Sequence, residues 1–253
     1  MSPLPIGLIV FAFVFGGALL GMHLARVLPQ EHLSPDAKNV IVVSMTMVAT
    51  LAAVVLGLLI ASAQSSLDEK DDELRKEAGQ LVLLDRTMAE YGPETADARN
   101  LMKQILVARI DLIWPEENAA RVAPEAISRG AGIEVVQERL LALSPKNDAQ
   151  RWLQSTALQL TRDIQAARWL ILEQIDSGIQ WPFLVVLVSW LVIIFAGFGL
   201  VAPRNASVTL MFFVTAFALA GAIYVTLEME QPYRGLIKIS SAPLRTALVE
   251  LGR

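Results

Sequence analysis

Four stretches of the chain, residues 1–22, 39–67, 177–203 and 205–227, hold no Asp, Glu, Lys or Arg and are dominated by apolar side chains. Each can supply the roughly 20 apolar residues that an α-helix needs to cross a bilayer. Inside hydrocarbon, backbone N–H and C=O groups find partners only within their own segment, so runs of this length predict helices. The expected spans are 4–27, 40–63, 182–201 and 208–229. The connection "APRNAS" (202–207) predicts a tight hairpin between the last two, with Pro203 stopping one helix and Ser207 capping the next.

Between the second and third windows the pattern turns from continuous to striped. Residues 65–91 place Leu67, Leu74, Leu81 and Met88 at seven-residue intervals, with Ala78 and Leu84 between them. This is one apolar face on a helix about 40 Å long, continuous with the second span. Asp71–Arg75 and Asp72–Lys76 are four apart in the favourable order, and Gly92-Pro93 ends the helix. A second helix, 94–113, is predicted from Ala98, Leu101, Ile105 and Leu112, and stops at Trp114-Pro115. A loop at 115–132 and a short helix near 133–143 follow. "SPKND" then opens a helix over 147–177 with the stripe Leu153, Ala157, Leu160, Ile164, Ala167 and Ile171. No internal repeat and no strand-like alternation is visible. The reading is all-α: four transmembrane helices with a helical bundle inserted between the second and third. By segment this gives a first transmembrane hairpin at 1–63, a helical domain at 64–181, a second transmembrane hairpin at 182–229 and an amphipathic tail at 230–253.

Four spans place the N-terminus, residues 64–181 and the tail on one side of the membrane. Of the 21 Lys and Arg, all but Arg26, Lys38 and Arg204 fall on that side. Basic residues near helix ends favour the cytoplasm, so the inserted domain and both termini are expected there. The first window has no preceding basic residue and outruns a signal h-region, so it is expected to stay as a span.

Composition agrees with the membrane class: 54% of the 253 residues are hydrophobic and 18% charged, with mean hydropathy +0.50. The net charge of −4 and the lack of a basic tail give nucleic acid no purchase. Without cysteine, disulfides and thiolate chemistry are excluded, and two histidines, His23 and His32, are too few for a histidine-rich metal centre. No nucleophile–histidine–acid set, phosphate loop or metal-binding helix motif is legible. Neither catalysis nor a cofactor is expected.

The candidate sites lie on the spans. Thr46, Thr50, Ala53, Gly57 and Ala61 share one face of the second span, read either as a close-packing surface or as the lining of a narrow wet path in an oligomer. In the first span Gly17 and Gly21 form a GxxxG for intimate helix contact, and His23 beyond them reads as interfacial. "DEKDDE" (68–73) resembles a cation site only in composition, since consecutive carboxylates splay around a helix; it reads as a solvated face. Glu228 and Glu230 close the fourth span near its interface. They read as an end-clamp in which Arg234 folds back to pair with a glutamate, or as vestibule carboxylates. Arg204, alone in the outer turn, is read as an anchor at lipid phosphates or as an attractor of anions at a pore mouth. In the tail, Ser240 and Ser241 precede Leu244, Leu248 and Leu251, the pattern of a short amphipathic helix docking on the bundle or on lipid.

Three blocks, "LLDRTMAEYGPETADAR" (83–99), "GFGLVAPRN" (197–205) and "EMEQPYRGLIKISSAPLR" (228–245), resemble the bestrophin-like family of bacterial membrane proteins. The resemblance implies a distant relation to bestrophins, oligomeric anion channels with four membrane helices per subunit and a long cytoplasmic helical part. It also implies a bacterial inner-membrane location, self-association into a ring and small anions as partners alongside the bilayer. The aromatic constriction that bestrophin pores carry on the second membrane helix has no counterpart here, because residues 40–63 hold no Phe, Tyr or Trp. No calcium clasp can be matched residue by residue. Two functions are therefore expected in competition: a homo-oligomeric ion channel, or a non-conducting scaffold or sensor whose cytoplasmic helices bind a partner protein.

Overall fold

The computed structural model describes residues 3–29, 34–115, 132–174, 181–233, 235 and 237–252. Among these, every regular element is a helix: α1 (Pro3–Val27), α2 (Pro35–Tyr91), a 3-10 turn (Pro93–Thr95), α3 (Ala96–Ile113), α4 (Ile133–Leu141), α5 (Asp148–Gln174), α6 (Trp181–Val201), α7 (Ala206–Met229) and α8 (Ala242–Glu250). The helices α1, α2, α6 and α7 are long and apolar enough to cross a membrane, and they carry the four uncharged windows. The chain divides into two compact units, one of Met1–Leu67 with Gly178–Ile237, the other of Asp68–Ser177 with Lys238–Arg253.

In the first unit α1 is the central helix, packed on α6 and α7. Small residues let the backbones approach: a Cβ on Gly17 would come within 2.9 Å of the Val192 carbonyl oxygen, and one on Gly21 would collide with the backbone of Ala196. From the other side Gly199 abuts the backbone of Ala18. The GxxxG expected from the sequence thus makes the close contact that small residues permit. The rising register, Gly17 to Val192 and Gly21 to Ala196, means that α1 and α6 run parallel. The helix α7 runs antiparallel to α1, with Gly7 against Tyr224 and Phe11 and Phe15 meeting Phe213 edge-on at 5.2 and 5.6 Å. The apolar half of α2 joins this bundle along one face, through buried Ala52 with Val48, Ala49, Val55 and Leu56 beside it.

In the second unit α2 and α3 form an antiparallel pair. Gly92, at φ +134°, takes the turn into a conformation that L side chains rarely adopt. The hydroxyl of buried Thr95 lies 2.5 Å from the Met88 carbonyl oxygen and 2.8 Å from that of Gly92, tying the turn. Leu74, Leu81, Leu84 and Met88 of α2 are buried, as are Val136 and Leu140 of α4 and Ala157 and Ile164 of α5. Trp114 ends α3 and donates its indole N–H to the Ile239 carbonyl at 2.9 Å. Buried Leu244, Ala247 and Leu251 fix the tail helix α8 against the unit.

Three expectations are corrected. The cap of α7 is Asn205, whose side chain accepts from the Val208 N–H at 2.8 Å, so the helix starts at Ala206, before Ser207. The buried face of α3 is Ala98, Met102, Leu106 and Ile110, while Leu112 is 81% exposed. Two apolar stripes compete on this helix, and the pairing of Arg109 with Glu77 on α2 selects the second. The short helix α4 ends at Leu141. The loop at 116–131 and residues 175–180 lie outside the described residues.

Candidate functional site

The face of α2 singled out above stands on the side away from Ala52. Thr46, Thr50, Ala53, Gly57 and Ala61 are all exposed in the chain, and a Cβ on Gly57 would meet nothing within 4 Å. A neighbouring stripe of the same helix is bulky and also exposed: Val40, Met47, Leu51, Val54 and Leu58. Only 6% of the apolar window of α2 is buried within the chain, against 28% for α1 and 33% for α6. Among the described residues, the small face therefore makes no close helix packing within the chain.

The two hydroxyls on this face are bonded back along the helix. Thr46 Oγ1 donates to the Val42 carbonyl at 2.8 Å and Thr50 Oγ1 to the Thr46 carbonyl at 2.9 Å, which satisfies them without a second helix. A hydroxyl that gives its proton to the backbone presents lone pairs outward. Lone pairs presented this way suit water hydrogens or cations, and an anion would require the hydroxyls to turn and donate.

At the other end of α7, Glu228 is 5% exposed. Tyr224, one turn earlier, hydrogen-bonds it through its side chain. Gly235 returns beside the carboxylate with φ +105°, and a Cβ there would run into Glu228 Oε2. The glutamate is thus enclosed by its own chain, where the length of the span had placed it in reach of water or headgroups. Glu230 caps the helix and is half-buried. Arg234 and His32 lie outside the described residues. Arg204 is exposed in the α6–α7 turn and shares an open cleft with Arg26 and His23.

The second unit holds charge pairs that the sequence reading missed. Arg99 makes two parallel hydrogen bonds of 2.8 Å to Asp85, and the Gly252 N–H donates to the same carboxylate at 3.0 Å. Burial alone would raise the Asp85 carboxyl, but these hydrogen bonds outweigh it and hold the group below the usual carboxylate range. Arg109 grips Glu77, itself 2% exposed, in the same bidentate way. A signal was present: Asp85 and Arg99 stand equally far, seven residues, on either side of Gly92. In the acidic stretch, Asp71 pairs with Arg75 at 2.9 Å, and Glu73 is pushed up by burial first and by the Glu69 charge second. Among the described residues no three His, Asp or Glu side chains gather around a metal-sized space.

A family model described as the bestrophin-like domain matches residues 12–244. No curated protein and no solved structure matches the chain.

Proposed function

The chain belongs to the bestrophin-like family, and from that premise we propose that it forms a homo-oligomeric ring in the bacterial inner membrane and conducts ions along an axis lined by α2. The observation that carries this reading is the exposure of α2. Among the described residues it is the least buried of the four candidate spans, yet its open side carries, beside bulky side chains, a small, hydroxyl-bearing stripe. Lipid accepts bulky apolar side chains without a need for small ones, whereas small residues serve close helix approach or a narrow passage. In the ring, Val40, Met47, Leu51, Val54 and Leu58 face neighbouring helices or lipid, and Thr46, Thr50, Ala53 and Gly57 face the axis. The family relation makes small anions the expected cargo, met by threonine hydroxyls turned to donate.

The same reading places both termini and the unit of Asp68–Ser177 in the cytoplasm, following the Lys and Arg asymmetry. Glu228 and Glu230 then stand at the cytoplasmic end of α7, with Arg204 at the opposite end. A second reading, a non-conducting scaffold that binds a partner protein, draws on exposed Leu112 and Trp152, 81% and 66% accessible in the second unit. Mass measurement of the detergent-solubilised oligomer, followed by bilayer currents with anion and cation substitution, separates the two. A ring that passes anions supports the channel. A monomer, or a ring that passes no current, leaves the scaffold.

A further inference from the structure

At the end of the first unit where α1 finishes and α7 begins, His23, Arg26, Arg204, Asn205 and Thr209 line an open cleft of about 410 Å³, with Leu19 on its apolar side. We infer that this cleft binds a phosphate group. Among the described residues its lining contains two arginines, one from the last turn of α1 and one from the α6–α7 turn, and no acidic residue. Neither arginine takes part in an ion pair among the described residues.

The start of α7 adds to the field. Asn205 uses its side-chain oxygen on the Val208 N–H at 2.8 Å and its carbonyl on the Thr209 N–H at 3.2 Å. Ala206, the first residue of α7, also lines the cleft, and its amide stands at the positive end of the helix dipole. Arginine presents a planar fork of donors that matches two phosphate oxygens at once, and His23 can supply a further donor. The cleft is several times larger than a bare halide, so a tetrahedral phosphate with a substituent fits it better. Phospholipid headgroups and free phosphate share this chemistry, and the site sits just past the apolar window of α1, at headgroup depth. The inference is independent of conduction and stands whether or not the ring passes ions.

The test uses the purified full chain in neutral detergent, with thermal unfolding followed by tryptophan fluorescence. Three probes are added separately: short-chain phosphatidylglycerol, the matching diacylglycerol without phosphate, and inorganic phosphate. Phosphatidylglycerol is expected to raise the midpoint saturably while diacylglycerol does not. The double variant Arg26→Gln/Arg204→Gln is expected to weaken that apparent affinity by about tenfold or more. Arg26→Lys/Arg204→Lys, which keeps charge and loses the fork, serves if the first pair does not fold and should weaken binding by less. Stabilisation by inorganic phosphate at similar concentration assigns the site to free phosphate; stabilisation by the lipid alone assigns it to headgroups. No response of the wild-type chain to either phosphate probe overturns the inference, as does a response that both double variants retain in full.

Discussion

Asp85 and Arg99, on either side of the turn between α2 and α3, grip each other through two parallel hydrogen bonds of 2.8 Å, and the amide of Gly252 closes on the same carboxylate at 3.0 Å. One buried acid thus joins a helical hairpin to the end of the chain. Asp85 is 5% exposed at its side chain, so removal of its cation strands a charge away from water. Arg99→Leu should destabilise the second unit by about 3 kcal/mol and free the tail. Limited proteolysis should then cut within 242–252 far faster than in the wild type. An unchanged cleavage rate would show that the tail is held by its apolar contacts and Trp114 without this pair.

The same pair sets a pH dependence. The Asp85 carboxyl lies below its ordinary value because the Arg99 and Gly252 hydrogen bonds outweigh burial. A carboxyl depressed in the folded state stabilises above its unfolded value, near 3.9, and loses that contribution as pH falls through the folded value. Glu94 is lowered in the same sense by the hydrogen bond from Lys146. Glu73 acts in the opposite direction: burial raises it, so its contribution is present below the unfolded value, near 4.3, and is lost as pH rises through the folded one. The tail is therefore expected to detach only below about pH 4. Trp114 fluorescence against pH checks this, and Arg99→Leu should shift the acid transition to higher pH.

Glycines separate packing from propensity. At Gly21 an added Cβ collides with the Ala196 backbone, while at Gly79 it meets nothing within 4 Å. Gly21→Ala should force α1 and α6 apart and lower the unfolding midpoint in detergent. Gly79→Ala, at an exposed position of α2, should be neutral or stabilising by up to about 1 kcal/mol, from helix propensity. At Gly235, φ +105° and the Glu228 carboxylate both oppose a side chain, so Gly235→Ala should cost about 1–2 kcal/mol or more. Equal midpoints for all three variants would contradict the packing described.

The four long apolar helices were legible because hydrocarbon tolerates almost no charge, which leaves windows visible without any tertiary information. The GxxxG contact of Gly17 and Gly21 was legible for a similar reason, since few roles other than close approach suit that spacing. The phase of α3 was not. Ala98–Leu101–Ile105–Leu112 and Ala98–Met102–Leu106–Ile110 are equally good stripes, and the choice depends on Arg109 meeting Glu77 from 32 residues away. Asn205 and Ser207 are both good caps, so a shift of start at α7 was within the pattern's tolerance. The enclosure of Glu228 depends on the chain turning back at Gly235, and no local signal at Glu228 announces that.

The central claim is an ion path along α2, and single-channel recording tests it most directly. The purified chain is reconstituted in a planar bilayer under a potassium chloride gradient, wild type beside Thr50→Trp. Discrete current steps that reverse near the chloride equilibrium potential are expected, with unitary conductance several-fold lower in the variant and the oligomer intact. An intact oligomer that stays silent, or a Thr50→Trp channel with wild-type conductance, would contradict it.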